Sequence, residues 1–260
     1  MNNELDDRRI GLLKTKIMRA AMNSKEGHIP SAFSILDILY CLYILLPKKI
    51  EINSKGTDFF VLSKGHASLA LYAILEEAQF ISPTWEATFG DFSSDYGGHP
   101  DMKKVAGVTA STGSLGHGLP FAIGKLLARR ALGIKSKAYC LIGDGELNEG
   151  SNWESLLLAS HHNLSELILI IDSNKSGDRA LNLGNLESKL VSFDFEVRSI
   201  NGHSHQDILK SLSDTDIQKP LAVIAHTIKG YGVKDMENNP AWHHAIPSET
   251  QYLKFAGELS

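Results

Sequence analysis

The sequence predicts an α/β protein: a doubly wound, mainly parallel sheet with helices on both faces. Three observations carry this. Five short apolar runs of strand character alternate with longer segments of helical spacing. The run "LILIID" at 167–172 is apolar on both faces, as in a strand covered on two sides. The chemically unusual residues fall just after the strands, where open α/β sheets bind ligands. They are Ser63-Lys64-Gly65-His66, Gly143-Asp144-Gly145, Asp172-Ser173-Asn174, "NGHSH" and "HTIKGYG".

The elements follow in order. Residues 4–24 place Ile10, Leu13, Ile17 and Ala20 or Ala21 on one helical face. "GHIPSA" breaks that helix, and a second, very apolar helix starts near Ser34 and ends near Pro47. "DFFVLS" (58–63) is the first strand, and "HASLALYAILEEA" is a helix. Residues 90–112 form a Gly-, Ser- and Asp-rich loop, a length that in a compact domain usually serves function. A helix starts near Leu119. Strand "KAYCLIG", helix "GSNWESLLLASHHN", strand "LILIID", helix "GNLESKLVSF", strand "FEVRSI", helix "HQDILKSL" and strand "PLAVIAHT" follow. "PSETQYLKFAGEL" is a final helix, with Ser248 as its N-cap.

Composition narrows the function classes. The chain has 260 residues, 43% hydrophobic and 22% charged, an ordinary globular balance. The net charge of −4 and the lack of a basic tract argue against nucleic acid as a partner. "MNNELDDRRI" is too charged for a signal peptide. "ILDILYCLYILL" contains Asp37 and is too short to span a bilayer. Cys41 and Cys140 sit among apolar neighbours and read as buried free thiols. A cytoplasmic location with no membrane partner is expected. Five of the eleven histidines follow a glycine directly: His28, His66, His99, His117 and His203. Histidines at glycine-hinged loop tips suit a site.

The segment "GDGELNEG" (143–150) poses the sharpest question. An EF-hand loop starting at Asp144 would need Gly at Glu149 and Glu at Ser155. No Gly-Lys-Ser/Thr follows for a P-loop, and the third glycine comes too late for Gly-x-Gly-x-x-Gly. The remaining reading is a diphosphate held through a divalent metal. Asp144 offers a hard anionic oxygen, and Mg²⁺ takes one or two such ligands plus phosphate oxygens. Gly145 lets backbone N–H groups approach the phosphates near a helix start. Asn174, at the end of the next strand, is placed to give a second oxygen.

At this point the residues resemble a known family. "GDGELNEG", closing on Asn174 thirty residues after Asp144, is similar to the thiamin diphosphate motif. "LSKGHAS" (62–68), "GGHPD" (97–101), "STGSLGHG" (111–118), "HTIKGYGV" (226–233) and "MENNPAWHH" (236–244) resemble transketolase segments in the family's order. The likeness covers nearly the whole chain. It implies the thiamin diphosphate-binding fold, with thiamin diphosphate and Mg²⁺ (or Ca²⁺ or Mn²⁺ in its place) as cofactors. By resemblance, Asp144, Asn174 and the Ser176 carbonyl are the metal ligands. Gly143, Asp144, Gly145, Glu146 and Asn174 belong to the cofactor-binding motif, in which Glu146 has no separate role. His66 and His243 lie near the diphosphate, and His28 and His99 near the reacting sugar carbons. Gly113, Ser114 and Leu115 lie against the cofactor's rings. Glu149 sits at the subunit interface, linked to an activating glutamate of the partner. On its residues alone, Glu149 also reads as a helix-start acid.

The cofactor carries the carbanion chemistry, and histidines titrating near neutral pH suit a proton relay to the sugar hydroxyls. The resemblance implies transfer of a two-carbon ketol unit from a ketose to an aldehyde. It also implies one diphosphate-binding domain over residues 1–260. The pyrimidine-binding and C-terminal domains are then expected on a separate chain, in an α₂β₂ heterotetramer active only as a complex. Two alternatives stay open: another thiamin diphosphate enzyme, of the deoxyxylulose-phosphate synthase or 2-keto acid decarboxylating kind, and a non-catalytic scaffold. The sequence departs from the family after Asn174 ("KSGDRALNLGN"), at Ser114 (commonly Pro), at His117 (commonly Gln) and at His244 (frequently Gly). These departures suggest a branch acting on an unusual deoxy or branched sugar or a secondary metabolite.

Overall fold

A computed structural model describes residues 3–46, 58–178, 180–213 and 217–259. Its centre is a five-stranded, all-parallel sheet: β1 (Phe59–Leu62), β2 (Ala138–Gly143), β3 (Leu167–Ser173), β4 (Glu196–Asn201) and β5 (Leu221–His226). The spatial order is β1-β2-β3-β5-β4. Register pairs Leu62 with Leu141, Gly143 with Asp172, and Asp172 with Ala225, so the carboxyl ends of the inner strands lie level.

Alternation along the strands divides the apolar residues into two cores. Phe60, Leu62, Tyr139, Leu141, Ile168, Ile170, Val223 and Ala225 face one layer. It contains α1 (Asn3–Ser24), α2 (Ile29–Tyr40), α3 (Ser68–Glu77) and α8 (His205–Ser213), with Phe255 of α9 (Glu249–Glu258). Phe59, Val61, Cys140, Ile142, Leu169, Ile171 and Ile224 face the other layer, made by α5 (Gly118–Ala131), α6 (Gly150–His161) and α7 (Leu186–Ser192). A strand buried on both sides has no polar face to alternate, which is why "LILIID" lacks one. The chain leaves β3 toward the α7 layer and β5 toward the α9 layer. A crevice therefore opens between the carboxyl ends of these neighbouring strands, the switch point of a doubly wound sheet.

The structure corrects the sequence reading in three places. The second helix starts at Ile29, not near Ser34, because Pro30 occupies its first turn, where a missing N–H costs nothing. Regular helix stops at Tyr40 and widens into a π turn over Cys41–Leu45; the expected end near Pro47 lies outside the described residues. The stretch before the long loop holds a one-turn helix, α4 (Trp85–Thr88), that the pattern did not reveal. Ser248 does cap α9: its Oγ accepts from the Gln251 N–H, and the Gln251 side chain accepts from the Ser248 N–H. Cys41 and Cys140 are free and buried. Among the described residues no helix is long and apolar enough to cross a membrane.

Ser248→Ala removes half of that reciprocal cap. We expect a loss of about 1 kcal/mol in urea unfolding, with faster amide exchange confined to α9.

Candidate functional site

The crevice between β3 and β5 opens into a cavity of about 780 Å³. Ser173, Asn174, Lys175 and Ser176 line it from β3, Thr227, Ile228 and Lys229 from β5, and His243 from the C-terminal turn. Its floor is polar yet buried, and Asp172 organises it. This aspartate closes an apolar strand and is 0% exposed, so it needs partners. It has four. Lys64 Nζ from the end of β1 lies 2.5 Å from Oδ2, and Asn174 Nδ2 donates to the same oxygen at 3.0 Å. Ser34 of α2 donates to Oδ1 at 2.6 Å, and the Thr227 hydroxyl donates there too. Burial alone raises a carboxyl's pKa, but Lys64 and the hydroxyl donors outweigh it and hold Asp172 below its usual range.

This network sets the orientation of Asn174. Its amide nitrogen is committed to Asp172 and Ser34 (3.1 Å), so Oδ1 faces the loop. There it accepts from the Ser176 N–H at 3.0 Å and the Ser176 hydroxyl at 2.5 Å. Asp144, on the neighbouring strand end, accepts from the Gly145 N–H at 2.6 Å and from the Lys175 N–H. Lys175 has a left-handed backbone, φ +61°, a strain of about 1 kcal/mol that the bond to Asp144 helps offset. Oxygens of Asp144 and Asn174 thus converge on residues 174–176.

The three residues proposed to hold a metal are therefore brought together. Asp144 is buried, and its carboxyl is raised by that burial and by the nearby charge of Asp172. Among the described residues its hydrogen bonds are to backbone N–H groups, and it makes no ion pair. A buried carboxylate with no paired cation, beside an amide oxygen fixed outward, is a donor set that fits a hard divalent ion. Among the described residues no group of three His, Cys, Asp or Glu side chains could hold a metal, so an ion held here would need further oxygens from carbonyls, phosphate or water. Gly177 and Gly145 pack backbone to backbone beside this donor set: a Cβ on Gly177 would lie 2.5 Å from the Gly145 Cα.

Three expected histidines gather at the mouth. The His28 ring lies 5.2 Å from His66 and 5.4 Å from His243, centroid to centroid. Burial, then Lys64, lowers His66 to about 2. Burial, then His244 and His243, lowers His28 to about 4. Both are neutral at pH 7 and able to accept or donate. His99 approaches from the long loop, its ring 3.1 Å from where a Gly113 Cβ would stand. Gly113 has φ +152°, so that contact needs glycine twice over. Ser114 is exposed and Leu115 half-buried on the same segment.

The two acids of "GELNEG" separate. Glu146, grouped with the cofactor-binding motif on sequence, instead faces inward. Its carboxylate accepts from the Gly116 N–H at 3.0 Å, the Gly143 N–H at 3.2 Å and the Ser63 hydroxyl, which ties the 113–118 segment to β1 and β2. Glu149 is exposed and precedes α6 without a side-chain cap, so the helix-capping alternative does not occupy its carboxylate. His203 and His205 are held by buried Asp37, at 2.9 and 3.0 Å.

Sequence reasoning placed Lys64, Asp172, Thr227 and Lys229 at strand ends but gave them no role, and it read Ser34 only as the start of a helix. A signal existed for Asp172, an acid inside an otherwise apolar buried strand. Lys229 Nζ lies 2.9 Å from His243 Nδ1, and burial, then Lys64, lowers it to about 8.

Comparison with known proteins matches this arrangement. Residues 6–252 match the family described as "Transketolase, thiamine diphosphate binding domain". The chain is 35% identical over 256 residues to one of the apulose-4-phosphate transketolase subunits of Phocaeicola vulgatus, covering 95% of this chain and 91% of the relative. It is 36% identical over 253 residues to the protein of the same name from Actinobacillus succinogenes, covering 94% and 92%. The crystal structure of transketolase from Campylobacter jejuni superposes with a TM-score of 0.88 at 30% identity, over 99% of this chain but 43% of that one.

Two outcomes test the site's energetics. Lys64→Met strands Asp172 in the interior and lowers stability by about 3–5 kcal/mol in urea; adding Asp172→Asn recovers part of it. His66 is depressed in the native state, so the unfolded chain binds more protons below pH 6.5 and stability falls as pH falls. Between pH 7 and 5 the loss from His66 is at most about 2 kcal/mol, and His66→Asn flattens that slope.

Proposed function

Since the chain belongs to the transketolase family of thiamine diphosphate-binding domains, we propose that it is the diphosphate-binding subunit of a two-chain, Mg²⁺-dependent transketolase. In this reading it moves a two-carbon ketol unit from a ketose, phosphorylated or otherwise modified, to an aldehyde. The carrying observation is the pairing of Asp144 with an Asn174 whose oxygen is turned outward by Asp172.

Asp144, Asn174 and the Ser176 carbonyl would hold Mg²⁺. Gly145 would admit the diphosphate, with Lys229 and His243 at its edge. The bound cofactor would supply an electron sink for cleaving a C–C bond. The chain's own part is positional and protic. His28, His66 and His99 would face the sugar's hydroxyl and carbonyl oxygens, where the neutral imidazoles of His28 and His66 are ready to accept a hydroxyl proton. The long loop brings the His99 ring against Gly113.

A separate partner chain completes the reading. The two relatives whose names make them one part of a divided transketolase are matched over nearly their whole length. The crystallised transketolase from Campylobacter jejuni is matched over less than half of its chain. Glu149 is exposed at the start of α6; further along that helix Leu157 and Leu158 are 60% and 42% exposed, and Phe121 of the adjoining α5 is 40% exposed. Exposed apolar side chains and an exposed carboxylate on the same pair of helices suit a covered interface. We assign this face to the partner chain, in an α₂β₂ complex in the cytoplasm. The domain boundary follows: residues 1–260 form one unit, and the pyrimidine-binding and C-terminal domains belong to the partner.

Asp144→Ala is expected to weaken Mg²⁺-dependent binding of thiamin diphosphate by more than about 100-fold in calorimetry, beyond the cost of losing a mere supporting partner, with an unchanged circular dichroism spectrum. Wild-type chain alone should show no ketol transfer until its partner is added. Full transfer by the chain alone, or carbon dioxide release from pyruvate in its place, would overturn the proposal.

A further inference from the structure

The histidine cluster has a fourth member with no role in the reading so far. His244 follows His243 at the end of the 3₁₀ turn Pro240–Trp242. Its ring stands 4.6 Å from His28 at 80°, closer to His28 than either His66 or His243. His243 is tied down by Lys229. His244 is exposed and, among the described residues, its ring nitrogens make no hydrogen bond. The cluster is thus graded in depth, with His66 and His28 half-buried and His244 in solvent.

This grading constrains a substrate. If the reacting carbonyl of a sugar lies by His28 and His66, as proposed above, the rest of its carbon chain must leave toward solvent. His244 walls the open side of His28 and meets that chain. An imidazole with both nitrogens free presents one donor and one acceptor, a match for hydroxyl groups on successive carbons.

We infer that His244 is a specificity residue: it hydrogen-bonds the hydroxylated chain of the ketose beyond the reacting carbons, and so favours long polyhydroxylated donors over short ones. The inference rests on the proposed ketol transfer and adds a substrate contact to it. It separates two neighbouring imidazoles by task, with His243 facing the diphosphate end and His244 the sugar.

The test uses the reconstituted two-chain enzyme with thiamin diphosphate and Mg²⁺. A panel of four- to six-carbon ketoses and their phosphates identifies the best ketose donor, which is compared with hydroxypyruvate, a donor with no hydroxylated chain past its third carbon. His244→Ala should raise KM for the ketose about tenfold relative to that for hydroxypyruvate, the size of one lost neutral hydrogen bond, with a smaller effect on kcat. His244→Gln, which keeps a donor and an acceptor, should restore most of the ratio. An unchanged ratio in His244→Ala, or an equal loss with both donors, overturns the assignment while leaving ketol transfer standing. A wild-type complex that uses neither hydroxypyruvate nor any ketose of the panel overturns the transketolase reading, and this assignment with it.

Discussion

The ion pair between Asp172 and Lys64, sealed beneath the carboxyl ends of the strands, is the constraint on which the rest of the site depends. A carboxylate and an ammonium this deeply buried are costly unless both are well matched. Here the aspartate's remaining acceptor capacity is filled by Ser34, Thr227 and Asn174. Those donors come from α2, from the end of β5 and from the loop after β3. One buried charge therefore holds four segments in register and leaves Asn174 only one orientation. A hydrophobic pair in its place could fill the volume, but it could not aim an amide oxygen outward.

A second acid performs the same service on the other side. Glu146 gathers Ser63, Gly116 and Gly143, so the segment carrying Gly113 and Leu115 is held to β1 and β2. The two buried carboxylates flank Asp144, which has no side-chain cation of its own. Of these acids Asp172 is paired with a lysine, whereas Glu146 and Asp144 are raised by burial and, among the described residues, held by a hydroxyl and backbone N–H groups or by backbone N–H groups alone. Such an imbalance is unfavourable for folding and favourable for a bound divalent ion, a common trade at functional sites.

The mouth is built from neutral imidazoles. Burial and mutual proximity keep His28 and His66 unprotonated at pH 7. Lys229, lowered to about 8, retains most of its charge near His243 and the diphosphate end. Charge is thus concentrated where phosphates are expected, and neutral donor–acceptor groups where hydroxyls are.

The sequence by itself determined the layered α/β class, because strands covered on both faces must be apolar throughout and helices must be apolar along one stripe. It also placed Gly143-Asp144-Gly145 and Asn174, the proposed cofactor site, just after strands whose ends line a crevice in a doubly wound sheet. Local rules reached as far as the Ser248 cap, but they missed the start of α2, where Pro30 opens a helix it had been read as breaking. Only the tertiary structure decided that Lys64 and Thr227 meet Asp172, that Glu146 turns inward while Glu149 stays free, and that His244 stands beside His28. Those pairings join residues 30 to more than 200 positions apart. No local period or spacing encodes them; they follow from the order in which the strands are laid side by side.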